Sequence, residues 1–267
     1  MPLICAACLS GLLIAGGVLS FLQRRKIIRL ESENRVLASR LQELQTGLEE
    51  IRHAISHDLS APLRAVDGFS EILQKRLGSS ETSDRDGFLS LIRENTAVMK
   101  SMVADMRDYI RVINASVQLQ PVDVNGLIDA CFRKCIDVQK TDSALLEMDP
   151  LPRILADPDL LRLMLMHLLS NAVKFRDGGR PCRIRIKPEG GSILIQDNGV
   201  GFDMAYQNKI YQFFYRLHLK EQFEGNGAGL ALVRRIVQKH NGSISIQSEL
   251  GRGTRVAFCF PDPAEKA

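Results

Sequence analysis

Ser56-His57-Asp58-Leu59-Ser60-Ala61-Pro62-Leu63-Arg64-Ala65-Val66-Asp67-Gly68 is the stretch around which the 267-residue chain is organised. It reads as a helix with a proline one turn after a histidine and an acidic residue directly after that histidine. Proline inside a helix removes one backbone hydrogen bond and bends the axis near the preceding turn, so His57 is expected beside a kink. Alone, a histidine on a helix surface is an ordinary solvated side chain. The apolar residues on either side say more. Upstream, Leu30, Leu37, Leu44 and Ile51 recur by sevens, as do Ile27, Leu41, Leu48 and Ile55, which fit the d and a positions of a coiled coil over residues 24–50. Asn34 interrupts the second series and either fixes the register of a parallel pair or weakens the coil. Carried forward, the register turns His53 and His57 outward. Those two histidines share a helical face, but no third metal ligand stands nearby in sequence.

Further upstream, Leu3 to Leu22 contains no charged residue, and twenty helical residues span about 30 Å, the thickness of a bilayer core. Arg24, Arg25, Lys26 and Arg29 follow the run rather than precede it. A single-pass transmembrane helix over residues 1–23 is therefore expected, in the inner (cytoplasmic) membrane with the remainder in the cytoplasm. Cys5 and Cys8 lie within that run and read as small apolar filler or, as a lesser alternative, lipidation sites. A net charge of +4 is too mild for a basic face, which argues against nucleic acid as a partner.

Downstream of Pro62, Leu63, Val66, Phe69, Ile72, Leu73 and Leu77 continue one apolar stripe. After turn residues from Gly78 to Asp84, Phe88 to Ile113 carry a second, at three- and four-residue steps. Two such helices cannot bury both stripes alone. Paired across a homodimer they form a four-helix bundle, expected over residues 51–118. From Gln120-Pro121 the pattern changes to alternating strands and helices. A strand is expected at Val122–Val124, a helix at Asn125–Gln139, and an Asp157-capped helix from Pro158 to Lys174. Strands are expected near 183–187, 193–196, 243–247 and 254–260, with a helix from Leu230 to His240. The fold class is α+β, with residues 119–267 as helices layered on one mixed sheet.

Four short motifs lie along this plan: the Ser-His-Asp-Leu-x-x-Pro-Leu run, Asn171-Ala172-Val173-Lys174-Phe175, Asp197-Asn198-Gly199-Val200-Gly201, and Gly225-Asn226-Gly227-Ala228-Gly229-Leu230. In this order they resemble the H, N, G1 and G2 boxes of a sensor histidine kinase, over roughly residues 50 to 262. Tyr211 to His218 is similar to the F box, and Leu219 to Glu224 stands where the family has its ATP lid. The Arg-Leu-His ending and the H box look most like the phytochrome-related branch.

The resemblance implies the Bergerat fold, an α/β sandwich, for the ATP-binding domain, and ATP and Mg²⁺ as cofactors. It also implies autophosphorylation of His57 and passage of the phosphoryl group to an aspartate of a response-regulator receiver domain. His57 would be the nucleophile and Asp58 the group that fixes its tautomer and takes its proton. Asn171 offers a neutral oxygen suited to Mg²⁺, and Lys174, one turn on, a point charge for phosphate. Asp197 would anchor the adenine amine, with Gly199 and Gly201 bringing backbone close to the base. Gly225, Gly227 and Gly229 would cradle phosphate at a helix N-terminus, and Arg216 would touch it. His167 stands where the family usually has a further Asn. Two other classes share features: a chaperone-, topoisomerase- or mismatch-repair-type ATPase, which lacks the H box, and a degenerate kinase acting as a scaffold.

Overall fold

Pro62 sets the first boundary of the fold. In the computed structural model, which describes residues 24–31, 34–35, 37–38, 41–42, 44–52, 54–76, 83–139, 144–217 and 223–261, a π-helical turn covers Ala54–Asp58 and α1 runs Ser60–Arg76. Pro62 thus sits in the first turn of α1, and the irregularity expected beside His57 takes the form of this π turn. Without an N–H it cannot bond the carbonyl four residues back, and the backbone widens to π geometry just before it. His57 therefore rides on an irregular turn.

The chain divides into two compact units, Met1–Glu49 and Glu50–Ala267. In the first, the described residues from 24 on are helical, and Ile27, Leu30, Leu37, Leu41 and Leu48 of the heptad series are exposed. The expected membrane span Leu3–Leu22, His53 and the turn at 78–82 lie outside the described residues. Among those described, no helix is long and apolar enough to cross a membrane.

In the second unit α1 packs against α2, Ser83–Asn114, with the Phe69 and Phe88 rings 6.2 Å apart. The two apolar stripes are only partly used within the chain. Met102, Met106, Tyr109, Val112 and Ile113 are buried, whereas Leu63, Ile72, Leu89, Leu91, Val103 and Ile110 remain exposed.

Beyond α2, β1 (Gln120–Val122) pairs antiparallel with β3 (Ile154–Ala156), and α3 spans Val124–Gln139. The first strand thus begins two residues earlier than its apolar residues indicate. The mixed sheet follows the order β2-β4-β5-β7-β6, built from Ala144–Met148, Cys182–Glu189, Ser192–Asp197, Gly253–Cys259 and Ser243–Glu249. Only β2 and β4 run parallel among these pairings.

α4 (Pro158–Lys174) starts as its sequence dictates: Asp157 caps it by accepting from the N–H groups of Asp159 and Leu160, and Pro158 fills the position that needs no donor. Its residues Leu161, Met164, Leu165 and Leu169 are wholly buried together with Ile184 and Ile186 of β4 and Leu232 and Ile236 of α5 (Gly229–Lys239). Each such side chain contributes about 1.5–3 kcal/mol of apolar burial. That core fixes the positions of the C-terminal half of α4, the end of β5 and the start of α5, where the predicted site residues stand.

Candidate functional site

A cavity of about 260 Å³ opens where α4, the end of β5 and the loop before α5 meet. Of the residues named from sequence, Asn171, Lys174, Asp197, Gly201, Arg216, Gly225, Gly227 and Gly229 line it. Leu168, Ile195, Ile210, Ile246 and Val256 supply apolar walls beside Asp197, while Asn171, Lys174 and Arg216 make another part of the lining polar.

Beside the apolar walls, Asp197 closes β5. Its Oδ1 accepts from Gly199 N–H at 2.8 Å and from Thr254 N–H at 3.2 Å. Both donors fall on one oxygen, which leaves Oδ2 for a ligand's amine. Burial pushes this carboxyl up to about 6, against the two backbone bonds and Arg180, which pull it down. Gly199 follows in the same loop, and the fold itself requires a glycine there: a Cβ would lie 2.3 Å from the Phe175 carbonyl. Its smallness lets the loop press on the end of α4 and aim its N–H at Asp197. Gly201, at φ +62°, passes 2.1 Å (as a built Cβ) from the Glu249 carbonyl, so it too answers to backbone crowding. Asn198 staples the same loop, accepting from Arg183 N–H at 2.8 Å and donating to the Pro181 carbonyl at 2.9 Å.

In the polar part, Asn171 and Lys174 project from one face of α4 into the cavity. Burial, then the neighbouring Arg216, pushes the Lys174 ammonium down to about 8, while Asp105 and Glu224 pull the other way. The glycine loop touches it: a Cβ on Gly225 would stand 3.0 Å from Lys174 Nζ. Arg216 donates to the Phe223 carbonyl at 2.7 Å and so spans residues 218–222, the heart of the expected lid, which lie outside the described residues. α5 begins at Gly229 with no side-chain cap on Ala228, so its first N–H groups and positive end are open toward the cavity.

His57 and Asp58 do not share this cavity. They meet each other: His57 Nδ1 lies 2.8 Å from Asp58 Oδ1, with the imidazole 79% exposed. With Nδ1–H donated to the carboxylate, the reactive lone pair is on Nε2.

Three further residues, besides His167, join the site without a sequence signal of their role: Thr254, Ser101 and Asp105. Thr254 lines the cavity and contributes its backbone N–H to Asp197, while its hydroxyl meets that of Ser248 at 3.0 Å. His167 lines the cavity, where its Nε2 is buried with no described hydrogen-bond partner, and burial lowers its pKa. Ser101 and Asp105 reach the cavity from α2 and bond Asn226 of the glycine loop, 121 residues from Asp105 along the chain.

Two family models match this chain. Residues 48–114 match the His Kinase A (phospho-acceptor) domain, and residues 156–264 match the Histidine kinase-, DNA gyrase B-, and HSP90-like ATPase. Cyanobacterial phytochrome A of Nostoc sp. (strain PCC 7120) is 28% identical over 239 residues, which cover 88% of this chain and 31% of that protein. The adaptive-response sensory kinase SasA of Synechococcus sp. (strain JA-2-3B'a(2-13)) is 30% identical over 214 residues, covering 77% of this chain and 57% of that one. The chain thus spans about a third of the first relative's length. Among solved structures, histidine kinase ThkA in complex with response regulator protein TrrA shares the fold, with TM-score 0.61 and 19% identity over 85% of this chain and 65% of that one.

Proposed function

Because the chain belongs to the sensor histidine kinases, we propose that it transfers the γ-phosphoryl group of ATP to His57 and then to an aspartate of a response-regulator receiver domain. The observation that carries this reading is the convergence of Asp197, Asn171, Lys174 and the glycine loop on one cavity, in a chain that also presents the His57–Asp58 pair.

Adenine fits against the apolar walls, its exocyclic amine donating to Asp197 Oδ2. The phosphates meet Lys174, Arg216 and the open N–H groups at the start of α5. Asn171 supplies one neutral oxygen, which suits Mg²⁺, an ion that keeps several waters and is otherwise held by phosphate oxygens. The ion would screen phosphate charge. The lone pair on His57 Nε2 attacks the γ-phosphorus, the bond to the bridging oxygen of ADP breaks, and the Nδ1 proton passes to Asp58. The resulting phosphoramidate is the donor for the receiver aspartate.

The remaining assignments extend the same reading. A homodimer covers the exposed stripe of α1 and α2 as a four-helix bundle and pairs residues 24–50 as a coiled coil, and the uncharged run Leu3–Leu22 anchors the chain in the cytoplasmic membrane. Residues 51–118 act as the dimerisation and phosphoacceptor domain, and residues 119–267 as the ATP-binding domain.

Radiolabelled ATP tests the central step. The wild-type chain is expected to acquire acid-labile, base-stable label, and His57→Gln to acquire none while binding nucleotide as before. Label that persists in His57→Gln would overturn the assignment.

A further inference from the structure

One contact at the nucleotide cavity is not explained by nucleotide binding. Asn226 lies in the glycine loop between Gly225 and Gly227, both at positive φ, so the direction of its side chain is tied to the path of the loop. Its amide donates to Asp105 Oδ2 at 2.6 Å and to Ser101 Oγ at 2.9 Å, both on α2 of the phosphoacceptor hairpin. Asp105 and Ser101 thereby become walls of the cavity, and Asp105 sits in the field of Lys174, the cation placed for phosphate.

The polar contact is embedded in a wider docking face. Met102 and Met106 of α2 pack with Phe214 and Ala228, and Leu59, Val98 and Phe213 close around them. Phe213 lies 4.6 Å from the Tyr109 ring, and Arg235 of α5 donates to the Tyr109 hydroxyl at 3.3 Å. That hydroxyl in turn donates to Glu50. Lys239 donates to the Ile113 carbonyl at 2.5 Å. Both ends of α5 are thus tied to the hairpin.

We propose that Asp105 is an internal stand-in for phosphate: its carboxylate grips the glycine loop through Asn226 and faces Lys174, so docking on α2 and binding of a nucleotide's phosphates oppose each other. The inference rests on the nucleotide reading of the cavity and adds a means of regulating it. Asp105 is a buried carboxylate. Burial raises its pKa and Asp108 adds to that, while Asn226 and Lys174 offset them. A triphosphate entering the cavity claims Lys174 and the loop N–H groups and brings several negative charges beside Asp105. The docked contact then loses its counter-charge and gains a repulsion. By reciprocity, whatever loosens the hairpin's hold on the loop raises affinity for ATP by the same factor as ATP loosens the hold. A signal that shifts the helix containing Glu50 reaches α5 through Tyr109 and Arg235.

The test uses the full-length chain and titrates three probes: a non-hydrolysable ATP analogue, ADP and adenosine. Asp105→Asn keeps an oxygen for Asn226 and removes the charge. It is expected to tighten binding of the ATP analogue and ADP by about fivefold or more, the lower range of site-to-site coupling, and to leave adenosine unchanged. Equal affinity of variant and wild type for the ATP analogue, or an equal gain for adenosine, would overturn the stand-in role. A second variant, Ser101→Cys with Asn226→Cys, closes the contact covalently on oxidation. Its oxidised form is expected to bind the ATP analogue at least about tenfold more weakly than the same protein after reduction, and equal binding by the two forms would overturn the proposal. A wild-type chain that binds none of the three probes would remove the nucleotide reading itself, an outcome distinct from a wild type that binds and an Asp105→Asn that matches it.

Discussion

In the ATPase half Leu161, Leu165, Leu169, Ile184 and Ile186 are wholly buried, whereas in the phosphoacceptor hairpin Leu63, Ile72, Leu89, Leu91, Val103 and Ile110 stay exposed. The functional groups divide in the same way. Asp197, Asn171 and Lys174 converge on a walled cavity, while His57 stands in the open on a π turn, hydrogen-bonded to Asp58. A nucleotide must be desolvated and oriented, so its groups need a rigid core behind them. A phosphoacceptor must be approached first by ATP and then by a second protein, so it needs exposure and only local tuning.

The largest effect expected short of removing His57 falls on its neighbour. Asp58→Asn preserves a hydrogen-bonding oxygen but loses the basicity that, in the proposed mechanism, takes up the Nδ1 proton. Initial rates of label incorporation should fall by about 10²-fold, the lower range for a positioned general base, with ATP affinity unchanged. A fall in affinity instead would place Asp58 in the nucleotide's field and blur the division between the two regions.

On the cavity side, Asp197→Asn should weaken ATP binding by about 10- to 100-fold, the value of a charge-assisted hydrogen bond of about 1.5–3 kcal/mol. The fold should not suffer. The carboxyl's folded value of about 6 lies above the ordinary 3.8, so the stability it contributes is present at low pH and is lost as pH rises through that value. Removing the charge at neutral pH therefore costs the fold nothing, and Asn keeps the acceptor for Gly199 and Thr254. Calorimetric titration and thermal melts together separate the two effects.

The same two cavity groups set a pH window. Below about 6 Asp197 gains a proton and, on the proposed placement of ATP, would stop accepting from adenine. Above about 8 Lys174 loses its charge and its hold on phosphate. ATP affinity measured from about pH 5 to 9 should rise, level and fall, by severalfold on each limb. Adenosine should lack the alkaline limb and Asp197→Asn the acid one. An alkaline limb retained by adenosine would detach Lys174 from phosphate.

How much of this was legible beforehand follows the range of the interactions. Asp157-Pro158 announces the start of α4 because a cap is a local bond between neighbours. The alternation of Cys182–Glu189 and Gly253–Cys259 announces strands because each buries one face. β2, Ala144–Met148, was not read, since Leu-Leu-Glu-Met favours a helix by propensity and only parallel pairing with β4 makes it a strand. Pro62 announces a break beside His57, because its missing N–H acts locally, but the π geometry of that break is not written in the sequence. Gly199 is legible as a motif glycine, but the Phe175 carbonyl that leaves no room for a Cβ there lies far off in the chain and shows only in three dimensions. The docking of Asn226 on Asp105 joins residues whose local patterns carry no trace of each other.

The smallest expected effect tests the exposed stripe of the hairpin. Leu165→Ala, at a wholly buried position, should cost about 2–5 kcal/mol at any protein concentration, because it opens a cavity inside one chain. Leu63 is 49% exposed, so in an isolated chain Leu63→Ala should cost no more than about 0.5 kcal/mol. If a second copy covers that stripe, the loss grows with concentration, since the wild-type dimer gains stability by mass action and the variant gains less. Melting curves at dilute and concentrated protein, with sedimentation to follow the monomer–dimer balance, decide the point. A Leu63→Ala protein that melts far below wild type even when dilute would mean that the hairpin buries this stripe within one chain, and the contrast with the ATPase core would disappear.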